Sequence, residues 1–191
     1  MMLRKTLLLV ALLFVAAYAN SSECTLNLNA QAPIAVVGSF SNMRYTEEHA
    51  YGYTVELWQS ADCLFGLFFS SYGLSGDTPT GLIENLKYDE KTGAISFNSR
   101  LTMGKVAPDP VRDVYEPAKD VYGFTGVLRK KSLRGTVLHE LRNFPAANPP
   151  IPENVVLKLS QEESSRLQYF ETYSQWVLEM KEILKRRGPK W

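Results

Sequence analysis

AYGYTVELWQS (residues 50–60), ADCLFGLFFSSYG (61–73), LSGDTPTGLIENLKYDE (74–90) and KTGAISFNSRL (91–101) follow one another without interruption. In the first, Tyr51, Tyr53, Val55 and Leu57 alternate with Gly52, Thr54, Glu56 and Trp58. A period of two, rich in aromatic and β-branched residues, predicts a strand over 51–59. The second is different. Leu64, Phe65, Leu67, Phe68 and Phe69 place apolar side chains on both faces of 63–72, and a strand of that kind has to be covered on both sides. Leu82, Leu86 and Tyr88 then alternate with polar neighbours over 81–89, as do Ile95, Phe97 and Leu101 over 94–101. Between these two runs, Asp89-Glu90-Lys91-Thr92-Gly93 predicts a hairpin with glycine at a positive-φ position.

Working outward, residues 34–45 read as a first strand, bent or bulged near Gly38 because glycine inside a strand marks such sites. Residues 102–120 carry Pro108, Pro110 and Pro117 and few strand formers, and read as a long loop, where function often sits. Strands are predicted at 121–130 and 133–141, with Gly123, Gly126 and Gly135 marking sharp coiling or a close approach. Pro145, Pro149, Pro150 and Pro152 make 144–153 an extended connector, and 154–159 suits one more short strand.

Ser160 with Glu163 forms a capping box that opens a helix over 160–187. Leu167, Phe170, Val177, Met180 and Leu184, with Tyr173 between, recur at helical steps as one apolar stripe. Acidic residues lie early and Lys185, Arg186 and Arg187 late, as the helix dipole favours.

The fold expected is therefore mainly β: an antiparallel up-and-down meander of about seven or eight strands, forming a barrel or strongly coiled sheet. One C-terminal amphipathic α-helix packs outside, over the Phe-rich strand. The alternative is a β-sandwich plus helix, with the Phe-rich strand at its centre.

In length and element order the chain resembles the calycin class, which includes the lipocalins, over roughly residues 34–187. The resemblance rests on Gly38-Ser39-Phe40, which stands where lipocalins carry Gly-x-Trp on the first strand, here with Phe in place of Trp. Other short signatures of the class, such as a Thr-Asp-Tyr turn, are missing. The resemblance implies an apolar ligand in the barrel mouth and assigns no binding residue.

Arg4 and Lys5 precede an apolar run over 6–17, shorter than the roughly 20 residues that span a bilayer as a helix. Ala17-Tyr18-Ala19 then offers a cleavage site, so 1–19 reads as a signal peptide and 20–191 as a single domain. Localisation is expected to be periplasmic or secreted, with no transmembrane segment after signal cleavage. In that setting the chain's two cysteines, Cys24 and Cys63, are expected to form a disulfide bond. Closing a loop of about 40 residues is worth roughly 3–4 kcal/mol in the chain-entropy model; two free thiols are the alternative. A formal net charge of +1 gives no argument for nucleic acid.

Chemical motifs are sparse. The two histidines, His49 and His139, lack the spacing of a metal site and read as surface residues. No nucleophile elbow, P-loop or dinucleotide fingerprint occurs, and no catalytic residue, metal ligand or cofactor is assigned. Tyr51, Tyr53, Phe68, Phe97, Tyr122 and Phe124 can share one face. They either line an apolar pocket or simply fill a small barrel. Phe65 and Phe69 compete with Phe68 for the inner position, because their strand's own pattern sets no register. The ligand-binding candidates are Tyr53, Phe68, Phe97 and Phe124. The function expected is an exported non-enzymatic binding protein with a small apolar ligand. One alternative is a protein-interaction or inhibitor module using loops 74–79 and 103–120. The other is a hydrolase with a carboxylate pair drawn from Glu56, Asp77 and Glu84.

Overall fold

The computed structural model describes residues 31–61, 63–74, 78–109, 111–144, 149–167 and 170–191. Its strands are β1 (Ala35–Ser41), β2 (Arg44–Tyr45), β3 (His49–Ser60), β4 (Cys63–Leu74), β5 (Thr80–Tyr88) and β6 (Ala94–Leu101). Then come β7 (Lys105–Asp109), β8 (Val114–Pro117), β9 (Asp120–Arg129), β10 (Ser132–Leu141) and β11 (Pro152–Ser160), followed by α1 (Gln161–Arg166) and α2 (Tyr173–Arg187).

Eight strands form a closed antiparallel barrel in the order β1-β3-β4-β5-β6-β9-β10-β11, with β11 returning to pair with β1. Each strand neighbours the next barrel strand in the chain, so the topology is up-and-down. β2 pairs on β3 outside the closed ring, and β7 and β8 form a separate hairpin. Closure leaves the barrel strands no free edge, and the sandwich alternative falls away.

The closure depends on a bend in β1. The register against β3 slips between Val36 and Gly38, and Gly38 has φ +152°. A Cβ at that position would run into the Leu159 side chain of β11, so the bulge that turns β1 from β3 toward β11 requires glycine. The hairpin between β5 and β6 turns at Gly93, whose φ is +75°.

The alternation read in β3 holds. Tyr53, Val55 and Leu57 join the lumen cluster, while Trp58 joins a second cluster outside. β4 divides in the same way. Leu64 and Phe68 point inward, and Phe65 and Leu67 point outward against Trp176 and Met180 of α2 and Phe170. Phe68, not Phe65, therefore takes the inner register. Inside, Phe40, Phe97, Tyr122, Phe124 and Leu133 complete the packing.

Two expectations are corrected. The helix expected over 160–187 is two helices. α1 has Ser160 as its N-cap, its side chain accepting from the Glu163 amide. Thr172 then starts α2 with a full capping box to Gln175. The stripe reading passed over this second start because Leu167, Phe170 and Tyr173 keep helical spacing across the break, while the Thr172 cap and the bridge from Thr172 to Pro33 stop one continuous helix. Nor is 102–120 structureless, since it carries the β7–β8 hairpin.

Cys63 opens β4, and no free cysteine occurs among the described residues; Cys24 and the segment 1–19 lie outside them. Among the described residues no helix is long and apolar enough to cross a membrane.

Candidate functional site

The two ends of the barrel differ. At one end the strands turn tightly, at Ala61, 89–93 and 130–131. At the other, three of the links are longer, 42–48 with β2, 102–119 with the β7–β8 hairpin, and 142–151, and the fourth is 75–79. Extending the inward alternation of each strand toward this looped end brings in Ser70 and Tyr72 on β4, Asp120 on β9, His139 and Leu141 on β10, and Glu153 on β11. A cleft of about 760 Å³ opens there. Tyr53, Tyr72, His139 and Glu153 provide its polar lining, and Val137, Leu141 and Ile151 much of its apolar lining.

The polar groups form two connected sets. Tyr53 donates its hydroxyl to Glu153 Oε2 at 2.7 Å, and the Tyr72 hydroxyl reaches the same oxygen at 3.4 Å. The two phenol oxygens are 3.4 Å apart. In the second set, His139 Nε2 lies 2.7 Å from Asp120 Oδ1, and Asp120 Oδ2 accepts from the Met103 amide at 2.7 Å. Asp120 is only 2% exposed, so this pairing is what makes its burial tolerable. The His139 ring lies flat on Tyr122, with centroids 4.4 Å apart. Ser70 donates to the Tyr122 hydroxyl at 3.4 Å.

Burial, first of all, raises the pKa of both inner phenols above the ordinary tyrosine value. For Tyr53 the hydrogen bonds to Tyr72 and Glu153 act in the same direction. For Tyr122 the Ser70 hydroxyl opposes the rise. Tyr53 and Tyr122 therefore stay neutral at physiological pH, and Tyr53 serves as a fixed donor at the floor of the cleft.

Tyr53, Phe68, Phe97 and Phe124 all sit in the lumen, each 3% exposed or less. Their rings form a continuous file: Tyr53 on Phe68 at 5.7 Å, Phe68 against Phe97 at 6.1 Å, Phe97 on Phe124 at 5.1 Å. The file fills the barrel, and of the four residues Tyr53 lines the cleft. Sequence patterning does not single out Tyr72, Asp120 or Glu153, and it puts His139 on the surface, whereas its ring is paired with Asp120 and stacked on Tyr122. Each keeps step with the inward residues of its own strand, but beyond the last apolar position a polar residue in that step looks the same as a solvated strand end.

Two of the acidic residues considered as a carboxylate pair have separate surroundings. Glu84 accepts from Arg100 at 2.6 Å. Glu56 lies on the outer face of β3 near Glu163 of α1, and burial followed by that neighbouring charge pushes its pKa up to about 7. Asp77 lies outside the described residues. Among the described residues no three His, Cys, Asp or Glu side chains group as metal ligands would. No protein-family model, curated protein or solved structure matches this chain.

Proposed function

We propose that this is an exported, non-enzymatic binding protein that holds a small, largely apolar ligand at the looped end of its barrel. The observation that carries this reading is the cleft itself. Its volume of about 760 Å³ falls within the usual range for small-molecule sites. Apolar walls with a few convergent polar groups also follow the usual composition of such sites. Because aromatic rings fill the lumen below Tyr53, the ligand rests on the barrel's packing and does not enter it.

Titration with the neutral dye N-phenyl-1-naphthylamine tests this. Saturable enhancement of its fluorescence is expected, weakened by Ile151→Asp at the apolar wall. A signal that never saturates, or that the substitution leaves unchanged, would sink the reading. Export and the Cys24–Cys63 disulfide belong to the same proposal. Intact mass of protein from the exported fraction should correspond to a chain starting at Asn20, and should rise on reduction and alkylation but not on alkylation alone.

One observation favours a second reading, that of a protein-interaction or inhibitor module. Val111, Val114 and Tyr115, in and beside the β7–β8 hairpin, are 92%, 55% and 60% exposed. An apolar group of that kind on a projecting hairpin suits a protein partner. Pull-down from the exported fraction, with Val114→Asp/Tyr115→Asp as control, separates the two: a partner lost in the variant favours the hairpin.

A further inference from the structure

We infer that the mouth cleft selects ligands that carry a cationic nitrogen on an apolar body, with the Glu153 carboxylate and the Tyr72 ring forming the head-group site. This rests on the reading of the cleft as a binding site given above, and adds the chemistry of what it takes.

Three observations converge. First, the side chains lining the cleft include a carboxylate but no Lys or Arg. Glu153 has no basic partner among the described residues, and His139 is already matched by the buried Asp120 carboxylate. The cleft therefore carries an unbalanced negative charge beside apolar walls, where a cation gains most and an anion is repelled. Second, both phenol hydroxyls go to Oε2 of Glu153, which leaves Oε1 to a ligand. The two donors fix the carboxylate without neutralising it. Third, Tyr72 stands at the rim 59% exposed, with Tyr51 and Tyr53 in edge contact at 6.4 and 6.3 Å. An alkylammonium group beside a carboxylate and against an aromatic ring combines ion pairing with cation–π attraction.

The rim also supplies an internal contrast. Tyr72 also lines a second cleft, of about 430 Å³, together with Lys105, Arg186, Arg187 and Lys190. Tyr72 borders both a basic and an acidic recess. The selectivity is thus local to the Glu153 side, and a cation finds one favourable seat.

The test compares two probes of the same shape, phenyltrimethylammonium and the neutral tert-butylbenzene, as competitors of bound N-phenyl-1-naphthylamine. The cation is expected to displace the dye at roughly tenfold lower concentration than its isostere. Glu153→Gln should abolish that preference, and Tyr72→Ala should reduce it several-fold. Both side chains are exposed, and circular dichroism checks that the variants fold. If both probes displace the dye equally, or if the preference survives Glu153→Gln, the cation assignment is overturned and the cleft remains a binding site. If the dye never binds saturably, the cleft reading fails and takes this inference with it.

Discussion

β4 feeds two apolar clusters, one on each face, and they are built differently. In the lumen Phe68 meets rings contributed by three other strands, β3, β6 and β9, inside a wall closed by backbone hydrogen bonds. The hydroxyls of both lumen tyrosines are bonded, Tyr53 to Glu153 and Tyr122 to Ser70, while the buried Ser99 hydroxyl finds no partner among the described residues. Outside, Phe65 and Leu67 depend on a tail segment for their cover. Trp176 packs on Phe65 at 4.8 Å and on Trp58 at 5.6 Å. The indole N–H groups of Trp58 and Trp176 are buried and find no acceptor among the described residues. The lumen is thus held by the sheet's topology, whereas the outer cluster holds only while α2 stays docked. α2 is attached at both ends: the Tyr173 amide donates to Ala32 O and the Ile34 amide to Glu171 O at one, and Trp191 Nε1 donates to Leu101 O and the Lys190 amide to Thr102 Oγ1 at the other.

The largest effect is expected from breaking the inner side. Phe68→Ala removes a fully buried ring from among Tyr53, Phe97 and Tyr122, and should cost about 4 kcal/mol in urea unfolding. Loss of less than about 1 kcal/mol would show that the lumen collapses freely around the gap. On the outer side, Trp176→Ala should cost roughly 3 kcal/mol. Its hydrogen-exchange signature should be local, with α2 amides opening while β6, β9 and β10 stay protected. Uniform loss of protection would mean that the barrel depends on its cover.

A third change sharpens the contrast by way of charge. Glu56 lies on the outer face with its pKa raised from 4.5 to about 7. The folded state therefore holds this proton more tightly than the unfolded chain does. This group's contribution to stability is greatest below pH 4.5, falls as the pH rises through 7, and stays reduced above it. Glu56→Gln should leave stability unchanged at pH 4 and raise it by about 2–3 kcal/mol at pH 8. Equal gains at both pH values would show that the carboxylate is not the source. The smallest effect is expected at the junction of lumen and cleft. Tyr53→Phe removes the hydroxyl bonded to Glu153 and should cost about 1 kcal/mol in urea unfolding.

Period-two alternation made most of the barrel legible. Over 94–101 and 51–59 it predicted both the strands and their inner faces, because a half-buried strand has to separate its apolar and polar sides. The doubly apolar 63–72 run required a cover, and α2 is that cover. What stayed hidden was set by contacts distant in sequence. Phe68 and Phe65 are equally apolar, and pairing with β3 and β5 decides which faces the lumen. The cleft was hidden for a related reason. Glu153, Asp120 and His139 look like solvated ends of strands until barrel closure brings β9, β10 and β11 round to β3. Thr172 offered a capping signal that was masked by an apolar stripe continuing across it.

Gly126 and Gly135 face each other across β9 and β10, and a Cβ on either would lie 2.8 Å from Cζ of Phe124. There the barrel wall is bare main chain, and an aromatic side chain takes the place that two methyl groups would occupy. A bulkier residue at either position would press first on the main chain of the paired strand, at Arg134 O or Thr125 O, and then on Phe124, which heads the file that runs through Phe97 and Phe68 to Tyr53. Substitutions far from any ligand could then alter the seat on which it rests, so surveys of ligand preference should sample these two glycines as well as the rim.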